Sequence, residues 1–167
     1  MYSQVIIVMG VSGCGKTTIG KIIADVKRSV FVDGDDLHPQ TNIKKMQSGI
    51  PLNDEDRNGW FEHIIAVACR HTANNSSCVI ACSALKRKYR DVLRAGIQNI
   101  SFVFLKASYE KVYQQMVTRK SHFMPMDLLK SQFDTLEEPA ADEKDVITIA
   151  VSGGLKETAA ATLQGLG

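Results

Sequence analysis

Five short apolar runs, separated by longer stretches with helical periodicity, are the feature that most constrains how this chain folds. An uninterrupted apolar run is typical of a strand that is buried on both faces of a sheet. Strands that alternate with helices predict a parallel sheet with helices on both faces, which is the α/β class. The predicted strands cover residues 5–9, 30–32, 78–82, 100–105 and 146–151.

Helical segments fill the intervals between these runs. Asn53 is placed to cap the longest of them, whose apolar residues recur at the 3.6-residue period. A chain of 167 residues has the size of one domain, so we expect a single domain over residues 1–167. The predicted helices cover residues 16–25, 41–47, 54–70, 86–94, 109–118, 125–136 and 155–163, with Val112, Tyr113, Met116 and Val117 inward on the fifth.

Charge and apolar content exclude several classes of protein. Twenty basic and eighteen acidic residues leave a net charge of +2, which argues against a nucleic-acid-binding protein with its basic excess. No segment reaches the ~18 apolar residues of a membrane span, and the first run is too short for a signal-peptide core. We therefore expect a cytoplasmic protein whose four cysteines are free thiols.

One glycine-rich segment, residues 10–17, follows the first strand and opens the first helix. It fits G-x-x-x-x-G-K-[ST], and this context is the one that indicates a phosphate-binding loop. Its backbone N–H groups and the helix N-terminus attract phosphates. Lys16 is expected to reach the outer phosphates of ATP, and Thr17 to ligate Mg²⁺. The expected nucleotide-binding residues are Gly10, Val11, Ser12, Gly13, Cys14, Gly15, Lys16, Thr17 and Thr18.

This phosphate loop (residues 10–17) indicates nucleotide binding but not the reaction. The guanine-reading motif N-K-x-D is absent, and the third strand ends at Cys82-Ser83 without a metal-binding aspartate. Carboxylates follow the second strand instead, at Asp33 and Asp35. One can hold the water shell of Mg²⁺ and the other can take a proton from an acceptor hydroxyl. The pattern favours a small-molecule kinase, and a solvated acidic turn is the alternative.

Basic residues after the third strand suit an anionic acceptor. Lys86 and Arg90 are four residues apart, so a helix carries them on one face, which we expect to open over the acceptor pocket. The arginine fork matches a carboxylate, such as that of a sugar acid. A solvated basic face is the usual alternative for such a run.

Two other side chains are candidates for the acceptor pocket. Arg57 lies in the first turn of a helix, where a cation opposes the helix dipole. Contact with a ligand would explain the placement of Arg57, and so would an ion pair with Asp54 or Asp56. His38 precedes a proline in an extended segment, either bonded to an acceptor hydroxyl or lying on the surface.

Two more residues carry functional hypotheses. Arg119 belongs to a basic segment that we expect to close over the phosphates as a short lid, at about residues 119–126; a helix C-cap is the alternative. Cys14 lies near a helix N-terminus, which lowers thiol pKa values. Oxidation sensitivity follows from that, although a small residue tolerated at this position is the simpler view.

Five longer stretches carry a more specific pattern. They are GVSGCGKTT at 10–18, DGDDLHPQTNIKKMQSGIPLNDEDR at 33–57, CSALKRKYRDVLR at 82–94, HFMPMDLLKSQFDTLEEP at 122–139 and ADEKDV at 141–146. They resemble the gluconokinases of the P-loop, adenylate-kinase-like group. The resemblance implies a three-layer P-loop kinase fold and a homodimer. It implies that ATP phosphorylates D-gluconate at its terminal hydroxyl, giving 6-phosphogluconate in carbohydrate acid catabolism.

The resemblance also implies roles for single residues. Asp33 is the metal-side carboxylate, Asp35 the acceptor-side carboxylate and candidate base, and Arg119 a lid residue that acts with Lys16 in catalysis. Cys14 departs from the serine expected in this family. The implied acceptor-pocket residues are Asp35, His38, Arg57, Lys86, Arg90 and Gln132.

Two other functions compete with this interpretation. Another small-molecule kinase of the same fold, such as a shikimate kinase, requires a different signature from the HFM and SQF segments. A non-catalytic ATP-sensing module has no need of the aspartate pair beside the phosphate loop.

Overall fold

A computed structural model describes residues 3–118 and 126–167 of the chain. Its five strands form one sheet in the order β2-β3-β1-β4-β5, and every pairing is parallel. The strands are β1 (Val5–Met9), β2 (Val30–Asp33), β3 (Cys78–Ala81), β4 (Ile100–Lys106) and β5 (Val146–Ala150). The predicted α/β class with a parallel five-stranded sheet is confirmed.

The described residues also form seven α-helices and one short 3₁₀ helix at Gly34–Leu37; the last α-helix follows the last strand and the others lie between strands. The long helix begins with the expected cap, because the Asn53 side chain accepts the N–H of Asp56 while the Asp56 carboxylate accepts that of Asn53. The helices are α1 (Lys16–Val26), α2 (Gln40–Gln47), α3 (Asp54–Ala73), α4 (Arg87–Gly96), α5 (Tyr109–Thr118), α6 (Met126–Thr135) and α7 (Leu155–Gly165).

The core has two layers, one on each face of the sheet. Alternate residues of β1 point to opposite faces, so that Ile7 lies in a cluster with α3 and α4, whereas Val8 lies in a cluster with α1 and α7. All five residues of β1 are buried, as the apolar run predicts. Within the described residues, no helix is long and apolar enough to cross a membrane.

One helix is packed less fully than its apolar residues suggest. On α5 the inward stripe consists of Val112 and Met116, which pack in the core. Tyr113 and Val117 were expected inward but are 41% and 63% exposed. Only one narrow face of α5 packs in the core, and Tyr113 stacks along the helix on Tyr109 instead.

Candidate active site

The phosphate loop connects β1 to α1 at the carboxyl edge of the sheet. Gly10, Gly13 and Gly15 all have positive φ, which favours glycine. At Gly10 a β-carbon would also lie 2.9 Å from the Leu105 carbonyl oxygen. The loop therefore curls tightly against β4, and its shape requires glycine for steric reasons.

Lys16 and Thr17 begin α1 and turn back toward the loop and the acidic turn. The Lys16 ammonium donates to the Val11 carbonyl oxygen, 2.9 Å away across the loop. The Thr17 hydroxyl donates to Asp33 Oδ2 at 3.2 Å. The second contact brings the two predicted metal-side oxygen groups together, one in the first turn of α1 and the other at the end of β2. Hydroxyl and carboxylate oxygens are donors that Mg²⁺ prefers, so this pair fits the ion.

The acidic turn at the end of β2 is fixed by one internal hydrogen bond and by two contacts with neighbouring elements. Asp33 Oδ1 accepts the N–H of Asp35 at 3.1 Å. The Trp60 indole on α3 donates to the Gly34 carbonyl oxygen at 2.7 Å. A β-carbon at Gly34 would lie 2.3 Å from the Ala81 carbonyl oxygen of β3, so only glycine allows this close approach. The turn consequently presents Asp35 at a fixed place beside the phosphate loop.

Asp35 itself is exposed at the cleft. Desolvation by the surrounding protein raises the pKa of its carboxyl above the usual range, Asp33 and Asp36 add to the rise, and the Lys16 ammonium opposes it. A carboxylate with a raised pKa is a stronger proton acceptor when it is ionised. The residue thus combines the position and the basicity that a general base needs.

His38 lies against the indole of Trp60, with ring centroids 4.2 Å apart and planes 18° apart. Its Nδ1 is 3.4 Å from the side-chain nitrogen of Asn42. Burial and the nearby Arg57 lower the pKa of His38 to about 4. The imidazole is therefore neutral at pH 7 and is suited to hydrogen bonding rather than to charge pairing.

Arg57 does not form the ion pair that was its alternative explanation. Its Nη1 donates to the Leu52 carbonyl oxygen at 2.6 Å, and its guanidinium lies 5.5 Å from the centre of the Tyr89 ring. Asp54 and Asp56 pair with lysines instead. The influence of Arg57 on the pKa of His38 shows that these two predicted acceptor residues lie near each other.

Lys86 and Arg90 do not share a face. Lys86 is the N-cap residue of α4 and has extended backbone angles, so the four-residue helical spacing does not apply to it. Its ammonium lies 3.6 Å from Asp54 Oδ1 and 5.7 Å from the centre of the Tyr89 ring. Lys86 is therefore grouped with Arg57 around Tyr89, and it is partly exposed.

The prediction that Arg90 binds the acceptor is wrong. Its side chain is 0% exposed, and its Nε and Nη2 each donate to a Glu143 oxygen at 2.7 Å. Its Nη1 donates to the carbonyl oxygens of Ala84, Leu85 and Glu137. Every nitrogen of the guanidinium is engaged by protein groups, so Arg90 has a structural role beneath the site.

Gln132 contacts the phosphate loop rather than standing free in the cleft as an acceptor ligand. Its amide forms hydrogen bonds to the Ser12 N–H and to the Ser12 hydroxyl. Arg119 and nearly all of the expected lid, residues 119–125, lie outside the described residues.

The thiol of Cys14 lies in the wrong environment for the proposed oxidation sensitivity. The residue is 3% exposed, and burial raises its thiol pKa, an effect larger than the opposing influence of Lys16. The expected lowering by the helix N-terminus is thus overcome by desolvation. Cys14, Cys69, Cys78 and Cys82 are all free thiols, as predicted.

Sequence reasoning missed Asn42. It is 2% exposed, donates to the Asp56 carbonyl oxygen at 2.8 Å and lies beside His38. No distinctive sequence pattern marks Asn42, because single asparagines are common in polar helices. Trp60 was assigned to the core, where it does lie, but its indole N–H also anchors the acidic turn.

Comparison with known proteins adds the family. A family model described as shikimate kinase matches residues 12–164. The thermosensitive gluconokinase of Escherichia coli K12 is 47% identical over 91% of this chain and 81% of its own length. The thermoresistant gluconokinase of the same strain is 41% identical, over 96% and 92%. The chain belongs to the gluconokinase family.

Solved structures agree with this placement in the gluconokinase family. A gluconokinase from Sinorhizobium meliloti 1021 superposes with a TM-score of 0.89 at 42% identity, covering 99% of this chain and 92% of that one. An APS kinase from Mycobacterium tuberculosis, at 15% identity and a TM-score of 0.68, shares the fold. As a gluconokinase-family member this chain is a kinase with a nucleotide-binding P-loop fold.

Proposed function

We propose that this protein transfers the terminal phosphoryl group of ATP to the C6 hydroxyl of D-gluconate, giving 6-phospho-D-gluconate. One observation carries the proposal: the Thr17 hydroxyl is hydrogen-bonded to Asp33. That contact sets the acidic turn against the phosphate loop, which supports a position for Asp35 beside the terminal phosphate of ATP. The choice of gluconate is supported by the names of the relatives.

On this proposal the phosphate loop binds the nucleotide through its backbone N–H groups and through Lys16. The Lys16 ammonium exchanges the Val11 carbonyl oxygen for phosphate oxygens, which carry more negative charge. Thr17 and Asp33 are the residues that would hold Mg²⁺, which when bound neutralises charge on the transferring phosphoryl group. Arg119 is proposed to add positive charge there.

Asp35 is proposed to accept the proton of the acceptor hydroxyl. A base positioned in this way commonly contributes about 10²–10⁴ in rate. The neutral imidazole of His38 is proposed to bind a hydroxyl of the polyol chain. Arg57 and Lys86 supply positive charge for the carboxylate of a sugar acid.

A coupled ADP-release assay with gluconate, other sugar acids and shikimate tests the proposed activity. Asp35→Asn is expected to lower kcat about 100-fold or more, because a general base is lost, while ADP and ATP still bind. Asp36→Asn is the matched control, since it removes an adjacent exposed carboxylate of the same turn. Near-normal turnover of Asp35→Asn would remove Asp35 as the base.

Shikimate is the second candidate acceptor, because the matching family model is described as shikimate kinase. It is also an anionic polyol, so the same basic groups suit it. Release of ADP with shikimate but not with gluconate would replace gluconate in the proposal.

We further propose a Mg²⁺-dependent homodimer, as the family resemblance implies, and a cytoplasmic location. The four free thiols support that location, since such thiols are typical of reducing compartments. Loss of activity with a chelator and the mass measured by light scattering test the first two points.

A further inference from the structure

Gln132 and Ser12 form a reciprocal pair of hydrogen bonds between α6 and the phosphate loop. The Ser12 N–H donates to Gln132 Oε1 at 2.6 Å, and Gln132 Nε2 donates to the Ser12 hydroxyl at 2.9 Å. The two residues are 120 positions apart in the chain. One side chain thus engages both the backbone and the side chain of a single phosphate-loop residue.

The helix that carries Gln132 packs in the core through one narrow face. Leu129 is 0% exposed in the core, and the ring of Phe133 meets that of Tyr109 edge-on, with centroids 5.5 Å apart. These contacts lie on either side of Gln132 along α6. The amide of Gln132 is therefore presented to the loop between two residues that anchor α6 in the core.

The neighbouring loop residue is confined from a second direction. A β-carbon at Gly13 would lie 3.2 Å from Val112 Cγ1 and 3.3 Å from Met116 Cγ, both on α5. At Gly15, where α1 begins, a β-carbon would meet nothing within 4 Å. The first half of the phosphate loop is thus held by α5 and α6, whereas the second half is free on the side where a glycine side chain would point.

Holding the first half matters because glycine-rich backbone loses much conformational entropy when it is ordered. Fixing the backbone of any residue costs conformational entropy, and glycine loses the most. A loop that is already fixed before the nucleotide arrives does not meet this cost on binding. The Ser12 N–H is occupied by Gln132, so the loop presents its remaining donors in a defined register.

We propose that Gln132 is a positioning residue that preorganises the phosphate loop for the nucleotide, not a residue that contacts the acceptor. The proposal deepens the proposed function and rests on it only for the choice of acceptor in the kinetic assay. Loss of Gln132 should weaken nucleotide affinity and leave acceptor affinity unchanged.

The test compares Gln132→Met with the wild type, because methionine has a similar length and forms neither hydrogen bond. Titration calorimetry with ATP alone should show a Kd raised about tenfold, which is about 1.4 kcal/mol. The KM for gluconate should stay within about twofold. Gln164→Met is the matched control, since it makes the same change at an exposed glutamine of α7 and should leave Kd unchanged.

A double-mutant cycle with Ser12→Ala checks that the effect acts through Ser12. Ser12→Ala alone keeps the N–H bond and should raise the Kd for ATP less, about threefold. In the double variant the two effects should not multiply, because both remove the same hydroxyl contact. Fully multiplicative effects would overturn the proposal.

Gln132→Asn keeps the proposal testable if Gln132→Met folds poorly. Asparagine retains a polar amide but is one methylene shorter, so it cannot hold both hydrogen bonds to Ser12 from the same position on α6. The Kd for ATP should therefore rise as it does for Gln132→Met. The proposal is overturned if neither variant changes the Kd for ATP, or if Gln132→Met raises the KM for gluconate instead. Nucleotide titration needs no acceptor, so inactivity of the wild type toward gluconate would overturn the proposed function alone.

Discussion

The helix α4 and its N-cap residue carry cations into two very different ion clusters. The rim cluster joins Lys86 and Lys88 to Asp54, and the side chains of Lys88 and Asp54 are 56% and 48% exposed. The buried cluster joins Arg90 to Glu143, whose side chains are 0% and 2% exposed. In sequence these cations form one basic run, yet the fold separates them into two environments.

The buried cluster of Arg90, Glu143 and Arg94 is called the clasp below. It stabilises backbone beside the cleft and does not line the cleft. Arg90 binds the carbonyl oxygens of Ala84 and Leu85, and Ala84 has a φ of +41°, in the left-handed region that L-residues rarely adopt. Arg94 extends the cluster through Glu143 at 2.8 Å. The clasp thereby fixes the segment that leads from β3 to Lys86. The rim cluster, being exposed, is free to exchange Asp54 for another anion.

The largest expected effect comes from breaking the clasp. Arg90→Ala leaves the Glu143 carboxylate buried beside Arg94 alone, and losing one partner of a buried pair costs about 3–5 kcal/mol. Urea unfolding should show this loss, and the KM for gluconate of the folded enzyme should change little. A raised KM with unchanged stability would return Arg90 to the acceptor pocket.

A paired substitution sharpens that result. Arg90→Met combined with Glu143→Met removes both charges, and hydrophobic replacement of a buried pair is often neutral. The double variant should recover most of the stability lost in Arg90→Ala. If the double variant does not recover stability, the hydrogen bonds of Arg90 to carbonyl oxygens, and not its charge, account for the stabilisation by the clasp.

The acid dependence of stability is the next effect in size. Hydrogen bonds from Arg90 lower the pKa of Glu143 to about 2, from 4.5 when unperturbed. Because the folded value is the lower one, the stabilisation is complete above pH 4.5 and is lost as the pH falls toward 2. Across this pH range, the free energy of unfolding measured with urea should depend less steeply on pH in Glu143→Gln than in the wild type.

Asp54 is the comparison in the rim cluster. Its pKa is also about 2, but its side chain is exposed, so Asp54→Asn should change the pH dependence of stability less, and mainly at low salt. Equal changes in the two variants would contradict the distinction between the clusters.

At the rim the expected effect is on substrate affinity. Lys86→Ala should raise the KM for gluconate about tenfold, since a charge-assisted hydrogen bond is worth about 1.5–3 kcal/mol, with little change in stability or in the KM for ATP. Lys88→Ala is the matched control, because it removes a lysine that pairs with the same aspartate. Equal effects of the two changes would indicate a general electrostatic influence instead of a contact by Lys86.

The smallest expected effect is a gain in apparent affinity for gluconate. Asp54 competes with an anionic acceptor for Lys86, so Asp54→Asn should lower the KM for gluconate by less than about threefold. Asparagine still accepts a hydrogen bond from Tyr89, which donates to Asp54 at 2.5 Å. Steady-state kinetics at low salt provide the measurement, and an increase in KM would show that Asp54 supports the pocket rather than competing for it.

Local pattern was sufficient for most of the fold. The apolar run of β1 and the glycines of the phosphate loop specify a buried strand and a tight turn through sterics and burial that act within a few residues. The same holds for the cap of α3 at Asn53 and for the acidic turn at Asp33–Asp35. These features could be predicted because much of what shapes them lies within the segment itself, although Trp60 and Ala81 also hold the acidic turn from a distance.

The sequence by itself therefore determined the α/β class, the phosphate loop and the acidic turn beside it. Only the tertiary structure decided the parts played by Arg90 and Gln132. Their partners lie 53 and 120 residues away, and helical spacing fits a buried ion pair as well as it fits a ligand. For Arg90, burial decides in favour of the ion pair, because a charge deep in the protein is stable only when it is paired. In this fold Glu143 pairs with Arg90, and the amide of Gln132 binds the phosphate loop.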